Sequence, residues 1–531
     1  MPRAGSSVRC AYYERPFSCV LLFILPRDSI VPVYVNQTNE LRRRVGVADA
    51  TFIILGNIIG IGIFLTPVEV ARTTQEPLIF LGMWLIGAVV AMAGAMSSAE
   101  LGIMMPHAGG DYVFLRKTYG LPWGFLYGYL SLIFTYTGSI AVMAVGIVHY
   151  QGQTILGDYG GSLQIPLLVF DIGPWSLFGL LNFEIFHYAL KVEHFVACGL
   201  VLILTGLNIR GLSSSLALQK VVTVAPVIFL VLAGAFILLH GLFFDDQVWN
   251  TLQTNLSFHG STGMPGPGVF AAAMIPVFFT YTGWNVTLYL AEDIKDPQRV
   301  IPLSMILGLG AVALVYFLFC MVLLATIPFQ DMLGPNPGDI SSRALGALFG
   351  PEARTLMGFV IAFLILGTLN TTILAGSRVY LAMARDGIFF SQAKRLHPKF
   401  GTPSWSLWAQ GLWACGLILI FLDFDTILSL TTLMMVFLSM MTISSVFVLR
   451  FRHGKDHEIA RMDQASPLIR ALGYPYFPAF YVLATGAILV GTVMYKENGS
   501  DQALLGLVVS LIGFVVYYVW RRVSPPRKDG P

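Results

Sequence analysis

Twelve apolar stretches, each long enough to cross a lipid bilayer, run through this chain of 531 residues. A transmembrane helix needs about 20 consecutive apolar residues. In hydrocarbon every backbone polar group must be paired within the protein, so stretches of this length predict helices. The chain is therefore predicted to be an all-α integral membrane protein with twelve transmembrane helices. These predicted spans are residues 46–71, 78–104, 122–149, 188–207, 216–241, 267–291, 301–327, 354–383, 404–422, 426–450, 472–495 and 503–520.

Lysine and arginine are distributed unevenly between the segments that join these spans. From Arg42 onward, alternate segments and the C-terminal tail hold 23 of them, whereas the intervening segments hold five. Cytoplasmic segments are enriched in Lys and Arg. Both termini are therefore predicted to be cytoplasmic, in a multi-pass protein of the plasma membrane or bacterial inner membrane. The basic residues serve as topology signals, so no nucleic-acid partner is expected.

The ends of the chain and its cysteines add little chemistry. Residues 1–41 form an N-terminal arm, predicted to be disordered or to be an upstream extension of an over-long reading frame, and residues 523–531 form a C-terminal tail. The five cysteines are scattered without the spacing of a metal site or a disulfide framework. The sequence contains no phosphate-binding loop. It also contains no cluster of histidines and carboxylates with the spacing of a catalytic site. No cofactor is expected.

Glycines interrupt the first and sixth spans, at residues 56–62 (Gly-Asn-Ile-Ile-Gly-Ile-Gly) and 279–285 (Phe-Thr-Tyr-Thr-Gly-Trp-Asn). A glycine inside a helix costs about 1 kcal/mol relative to alanine, and an unpaired backbone group in hydrocarbon costs several more. Such breaks persist where a polar ligand uses the freed backbone. Two breaks at corresponding positions of two halves are typical of a midplane site in a secondary transporter.

The spacing of the breaks predicts an inverted repeat. Gly60 and Gly283 are 223 residues apart, an offset that places the first span on the sixth. Five spans, an odd number, place the second unit upside down relative to the first. We expect residues 42–266 to form the first repeat, residues 267–451 the second, and residues 452–522 two accessory helices.

The chemistry of broken helices suggests what they bind. A half-helix that begins within the bilayer presents free N–H groups and a positive dipole end, and one that ends there presents free carbonyls. The first binds a carboxylate and the second an ammonium group. Two crossing breaks supply both, so the expected ligand is an amino acid zwitterion held largely by main chain.

Five motifs, in order along the chain, resemble the amino acid-polyamine-organocation superfamily, close to its L-type and bacterial amino acid permeases. The resemblance implies the leucine-transporter fold, a 5+5 inverted repeat with two further helices, and transport by alternating access. The motifs are residues 56–64 (GNIIGIGIF), 99–102 with 105–112 (AELG and MPHAGGDY), 280–285 (TYTGWN), 291–302 (AEDIKDPQRVIP), and 377–378 with 384–387 (SR and ARDG).

The resemblance also assigns the substrate site. It implies that the backbone N–H groups of Ile61 and Gly62 bind the carboxylate. The carbonyls of Ile58, Phe279 and Thr282 are then expected to bind the ammonium group. Phe279 resembles an aromatic outer gate. Asn285 resembles a polar residue that supports the sixth span against the first and seventh spans. Ile61 departs from the family, where a small or hydroxylated residue is usual between the two glycines, so we expect a narrower pocket.

The coupling ion is left open, between Na⁺, H⁺ and none. The lysine that replaces sodium in many relatives is absent, because Pro226 stands at its position. A candidate sodium site is implied by the resemblance at the hydroxyls of Thr371 and Thr372 and the carbonyls of Gly56, Ile59 and Thr368. If sodium is not the coupling ion, the sequence is compatible with uncoupled exchange or with proton coupling through Glu100, His107, Glu292 or Asp293.

The sequence thus predicts a secondary active transporter or exchanger of amino acids, and no acidic or basic residue in either break favours a charged substrate. A cationic amino acid or polyamine transporter of the same fold, and a sensor that binds without transporting, are the competing hypotheses. Residues 150–187 contain no cysteine, so no disulfide-linked heavy chain is expected. Glu100, Arg378 and Asp386 are candidates for charge pairs that close an inner gate.

Overall fold

The structure is a computed structural model, and almost all of the part of the chain that it describes is helical. The arm predicted for residues 1–41 and most of the tail lie outside the described residues, as does His107. The described residues are 45–105, 109–172, 175–177, 181–183, 186–243, 246–257, 266–334, 340–422, 424–453, 473–495 and 499–523.

Twenty α-helices, numbered in chain order, occur among the described residues. The first ten are α1 (Val47–Ile58), α2 (Ile61–Thr74), α3 (Pro77–Met104), α4 (Asp111–Tyr119), α5 (Leu121–Leu130), α6 (Tyr136–Gly146), α7 (Gly152–Leu156), α8 (Val192–Ile209), α9 (Leu212–Phe243) and α10 (Asp246–Leu256). The others are α11 (Pro267–Tyr281), α12 (Val286–Tyr289), α13 (Pro297–Thr326), α14 (Phe329–Leu333), α15 (Ile340–Phe349), α16 (Pro351–Arg385), α17 (Ser404–Phe421), α18 (Phe424–His453), α19 (Tyr476–Tyr495) and α20 (Gly499–Val523).

Short helical segments of other types join several of these helices. Two π-helical segments, Ser131–Thr135 and Ile147–Gln151, continue the third span on either side of α6. Three 3₁₀ segments are Gly157–Gln164, Ala291–Asp293 and Ser391–Lys394. The last of these lies in a stretch, residues 389–397, whose sequence suggests a longer amphipathic helix. Only one short turn of it is helical.

Each of the twelve predicted spans coincides with one or two of these helices. Ten helical stretches among the described residues are long and apolar enough to cross a membrane. Nine are single numbered helices, and the tenth is the continuous run Leu121–Gln151, which contains α5, α6 and both π-helical segments. The bent pair α1 and α2 forms an eleventh such span. The sixth predicted span contains α11, a shorter apolar helix, followed after its break by α12. The fold class predicted from the length of the apolar stretches is confirmed.

The outward faces of these helices are apolar. Val89 of α3 is 59% exposed, Leu232 of α9 is 65% exposed and Leu483 of α19 is 72% exposed. Large contiguous apolar surfaces are rare on soluble monomers, whereas lipid tails are a favourable environment for them. The buried set, in contrast, includes many hydroxyl, amide and charged side chains. The polar chemistry of this protein therefore lies inside the helix bundle.

Four β-strands lie between the third and fourth spans, where no strand was predicted. Strand β1 (Pro166–Ile172) pairs antiparallel with β4 (Phe186–Lys191), and β2 (Trp175–Leu177) pairs antiparallel with β3 (Leu181–Phe183). The prediction that the fourth span begins at residue 188 is wrong, because residues 188–191 pair with β1 and α8 begins at Val192.

Asn255 of α10 joins three segments at one end of the bundle. Its amide nitrogen donates to the carbonyls of Leu324 (2.7 Å) and Ile327 (2.8 Å), where α13 ends. Its amide oxygen accepts from the N–H of Phe329 (2.8 Å), where α14 begins. The side chain is 4% exposed, so these backbone groups have little access to water.

Asn255→Ala is expected to lower the thermal stability of the protein. It leaves three buried backbone groups without this partner, and each unsatisfied buried group costs about 1–3 kcal/mol. Melting curves of the purified protein in detergent measure the effect. The matched control is Asn250→Ala, an exposed position on the same helix, which should leave the melting temperature within error. Equal losses in both variants would contradict the assignment.

Candidate substrate site between the broken helices

The first and sixth spans are interrupted where the glycines predict. Helix α1 ends at Ile58 and α2 begins at Ile61, with a bend of 45° between them. Helix α11 ends at Tyr281, and α12 begins at Val286. Gly283, between them, has φ +111°, a conformation that L-residues with a side chain rarely adopt. Both breaks therefore free backbone groups at the centre of the bundle.

Side chains hold the two breaks against each other. The amide nitrogen of Asn57 donates to the carbonyl of Gly283 at 2.8 Å, which joins the first break to the second. The hydroxyl of Tyr316, on α13, lies 2.8 Å from the carbonyl of Ile58 and 3.1 Å from that of Thr280. Tyr316 is fully buried. These bonds fix the relative position of the freed backbone groups.

A cavity lies between the breaks. It contains about 950 Å³ of empty space, including the part open to solvent. Both breaks line it, and α16 and α18 contribute Thr372 and Ser439. The third span contributes Thr135 from a π-helical segment, together with Ser139 from α6. π-helical turns are frequent at functional sites.

The residues predicted to bind a carboxylate lie at the start of α2. Gly60, which precedes the helix, has no side chain to cap the first N–H groups. These groups carry the positive end of the helix dipole. Ile61 and Gly62 both line the cavity and are buried. A Cβ at Gly62 would lie 3.0 Å from the backbone of Thr280, so the two broken spans meet closely here.

The three carbonyls predicted for the ammonium group differ in availability. The carbonyl of Phe279 accepts from both the N–H (3.1 Å) and the hydroxyl (2.6 Å) of Thr282. Both of its lone pairs are used, so the prediction for this carbonyl does not fit the geometry. Ile58 retains one lone pair beside Tyr316. The carbonyl of Thr282 accepts no hydrogen bond within the described part of the chain. The Phe279 side chain itself lines the cavity.

At the candidate sodium site, the carbonyls of Ile59 and Thr368 accept hydrogen bonds from threonine hydroxyls. The hydroxyl of Thr368 donates to the carbonyl of Ile59 at 3.0 Å. Thr371 and Thr372 each place their hydroxyl within 3.0 Å of the Thr368 carbonyl, one turn back on their own helix. Threonines inside helices often bond in this way. The arrangement satisfies these groups without an ion.

A hydrogen-bonded cluster around Asp111 lies at one end of the cavity. The Asp111 carboxylate accepts from the hydroxyl of Tyr289 (2.6 Å), the amide of Asn285 (2.9 Å) and the hydroxyl of Tyr127 (3.3 Å). All four residues line the cavity, and Asp111 is 4% exposed. Asn285 was expected to support the sixth span against the first and seventh, but its amide donates instead to a carboxylate on α4 and to Tyr289 on α12.

Ion pairs join residues near the C-terminal ends of several helices. The three inner-gate candidates are all paired: Glu100 with Arg450 (2.8 Å), Asp386 with Arg116 (2.7 Å), and Arg378 with Asp293 (3.0 Å). The last pair is almost completely buried, at 1% and 3% exposure.

The chain before α1 is attached to the same region. Val45 N–H donates to the Asp293 carbonyl at 2.9 Å, and Val45 forms a parallel bridge with Ile294. The first residue that the structure describes is therefore hydrogen-bonded to the end of the sixth span.

Sequence reasoning missed several cavity residues. Asp111 falls within one of the five motifs, and its position next to two glycines was the available signal. Asn57 is a polar residue inside the first break. Tyr481 of α19 lines the cavity and packs against Phe278 and Trp284 at 6.3 and 6.4 Å between ring centroids. One of the two helices predicted to be accessory therefore forms part of the wall.

Comparisons with known proteins match almost the whole chain. The family model described as "Amino acid permease" matches residues 45–519. The serine/threonine exchanger SteT of Bacillus subtilis is 27% identical over 491 residues, which cover 91% of this chain and 98% of that protein. The large neutral amino acids transporter small subunit 2 of Rattus norvegicus is 26% identical, over 90% of this chain and 81% of that protein. The Asc-type amino acid transporter 1 of Mus musculus is 23% identical, over 89% and 82%.

Proposed function

The chain belongs to the amino acid permease family, and from this premise we propose that it is a secondary transporter or exchanger of neutral amino acids. It is a multi-pass membrane protein and a carrier rather than an enzyme. The single observation that carries the proposal is the cavity between two broken helices. There, the uncapped start of α2 lies with two carbonyls, those of Ile58 and Thr282, that each have a lone pair available.

The zwitterion is proposed to bind by its two charged ends. The N–H groups of Ile61 and Gly62 receive the carboxylate, because they begin α2 at the positive end of its dipole. The carbonyls of Ile58 and Thr282 receive the ammonium group, since each has a lone pair available. Phe279 lines the cavity beside them and is proposed to close over the bound amino acid.

A neutral side chain fits the rest of the cavity. Its wall combines the hydroxyls of Thr135, Ser139 and Ser439 with the apolar side chains of Met143 and Met435. The carboxylate of Asp111 is occupied by donors from the protein. Two of the related proteins are named for serine and threonine or for large neutral amino acids, which agrees with this choice.

The arrangement in the membrane is proposed from the sequence. Residues 42–266 and 267–451 form the inverted repeats, and residues 452–522 the two remaining helices. The excess of Lys and Arg supports a cytoplasmic location for both termini, in a protein of the plasma or inner membrane. One relative is named a small subunit. The loop at residues 150–187 contains no cysteine, so a disulfide-linked heavy chain is not part of the proposal.

Counterflow in proteoliposomes tests the function. Vesicles preloaded with unlabelled amino acid are expected to take up labelled L-serine, L-threonine or L-leucine, and to exclude labelled L-arginine and L-glutamate. Empty liposomes are the control. Preference for L-arginine would establish the cationic substrate class. Binding without uptake would establish the sensor and refute transport.

The same vesicles test for a sodium dependence. An inward sodium gradient, compared with choline at the same osmolarity, is expected to leave uptake unchanged. The carbonyls of Ile59 and Thr368 at the candidate site accept hydrogen bonds from threonine hydroxyls, so these oxygens have partners without an ion. Stimulation by sodium, abolished in Thr372→Val, would instead establish the sodium site.

A further inference from the structure

We propose that Asp111 binds a proton during each transport cycle, so that a proton gradient drives net amino acid uptake. This inference rests on the proposed transport function and names its coupling ion. The observations are the position of Asp111 in the cavity wall, its burial, and the nature of the groups around it.

Asp111 lies between the substrate cavity and the half-helix α12, where a bound proton can influence both. It is the first residue of α4, and its carboxylate bonds to Asn285, within the second break, and to Tyr289 on α12. Tyr127, from the third span, lies 2.5 Å from Tyr289 between their hydroxyl oxygens. The carboxylate therefore connects the cavity wall to the half-helix that follows the second break. A change in its charge acts directly on that half-helix.

The other inner carboxylates have a cationic partner. Glu292 pairs with Arg385 at 2.9 Å, and Glu100, Asp293 and Asp386 each pair with an arginine too. Within the described part of the chain, Asp111 is contacted by neutral donors and by no cation. A buried carboxylate without a counter-charge is more costly to ionise than a paired one. Asp111 is thus the carboxylate of this group best suited to take up a proton.

Among the titratable and charged groups around Asp111, the carboxyl group of Asp111 is the one that changes its protonation state. Burial raises the pKa of Asp111, and the hydrogen bonds from Tyr289, Asn285 and Tyr127 oppose this shift. Phenols ionise near pH 10 in water and stay neutral here at neutral pH. The neighbouring groups are Tyr127 on α5, Tyr136 on α6, Tyr289 on α12, Tyr481 on α19, and Tyr112 and Arg116 on α4. The last two are both engaged with Asp386 at the end of α16.

Protonation changes the hydrogen bonding that holds the second break. An ionised carboxylate is an acceptor only, whereas its protonated form carries a donor. All three donors contact Oδ2 of Asp111. A proton on the carboxylate removes the charge that strengthens these bonds and weakens the attachment of α12 to α4. In the balanced cycle, Asp111 takes one proton from the outer solution, one zwitterion binds, both are released inside, and the carboxylate is regenerated. Each cycle moves one positive charge inward.

The test uses purified full-length protein in proteoliposomes that contain the pH indicator pyranine. With the outside acidic, the wild type is expected to accumulate labelled L-serine, L-threonine or L-leucine above the external concentration and to acidify the lumen. Asp111→Asn is expected to lose at least tenfold of this accumulation, while counterflow persists at a lower rate because it needs no net proton movement. Glu292→Gln, which removes a carboxylate with an arginine partner, is the matched control and should retain accumulation.

The outcomes separate this inference from the proposed function. Absence of counterflow in the wild type refutes transport itself. Counterflow in the wild type that is indifferent to the pH gradient overturns the proton site and leaves the transporter intact. Accumulation in Asp111→Asn equal to that of the wild type also overturns it.

Tyr289→Phe supplies an independent measurement if Asp111→Asn is not recovered folded. The substitution removes the donor that lies 2.6 Å from the carboxylate. That bond favours the ionised form, so its loss raises the pKa of Asp111. The pH at half-maximal accumulation is expected to move upward. An unchanged midpoint contradicts Asp111 as the proton-binding group.

Discussion

Gly283→Ala is expected to reduce amino acid uptake at least tenfold. Gly283 has φ +111°, and a Cβ there would lie 2.8 Å from the backbone oxygen of Asn57. Backbone strain of this kind costs about 1–3 kcal/mol. The clash involves main chain of the first break and cannot be relieved by rotating a side chain. Since about 1.4 kcal/mol is a factor of ten in binding, a displacement of the two breaks should abolish most uptake.

The measurement is counterflow of labelled L-serine, L-threonine and L-leucine, normalised to the amount of folded protein. Gly310→Ala is the matched control, because Gly310 lies within α13 and a Cβ added there meets no atom within 4 Å. It should transport like the wild type. Normal counterflow in Gly283→Ala would show that the second break does not set the geometry of the substrate site.

Arg378→Met is expected to destabilise the protein by about 3–5 kcal/mol, the usual cost of removing one partner of a buried ion pair. Arg378 and Asp293 are 1% and 3% exposed, so the remaining carboxylate has little access to water. The pair joins α16 to the segment that follows the second break. We therefore expect a large fall in the melting temperature measured in detergent.

Two variants make this result specific. Arg385→Met removes a partner from a more exposed pair with Glu292, and such pairs contribute about 0–1 kcal/mol. Arg378→Met combined with Asp293→Asn removes both charges and should recover part of the lost stability. Similar melting temperatures for Arg378→Met and Arg385→Met would refute a structural role for the buried pair.

Features set by short stretches of sequence were predictable. The length of the apolar stretches determines the spans, because bilayer thickness requires it. The glycines locate both breaks, because a glycine lowers the stability of a helix at its own position. Asp111–Tyr119, an amphipathic stretch of sequence, forms the helix α4. In each case the structure is determined by interactions between residues that are close together in the chain.

Features set by helix packing were not predictable. Asn285 and Asp111 are 174 residues apart in the chain, and no local pattern indicates that they meet. The Phe279 carbonyl was expected to be available, but Thr282 folds back on it with both its N–H and its hydroxyl. Helix α8 begins later than predicted because the residues before it pair with a strand about 20 residues earlier in the chain. These contacts exist only once the helices are assembled.

The contact between Tyr481 and the second break bears on the minimum number of helices that a functional carrier of this type requires. Tyr481 lies on α19, outside the two predicted repeats, yet it lines the cavity and is 1% exposed. Its ring would collide with a Cβ added at Gly94 of α3, so it fills space between the two repeats. A truncated ten-helix carrier would therefore lack one wall of its substrate cavity, and lipid tails would reach Trp284.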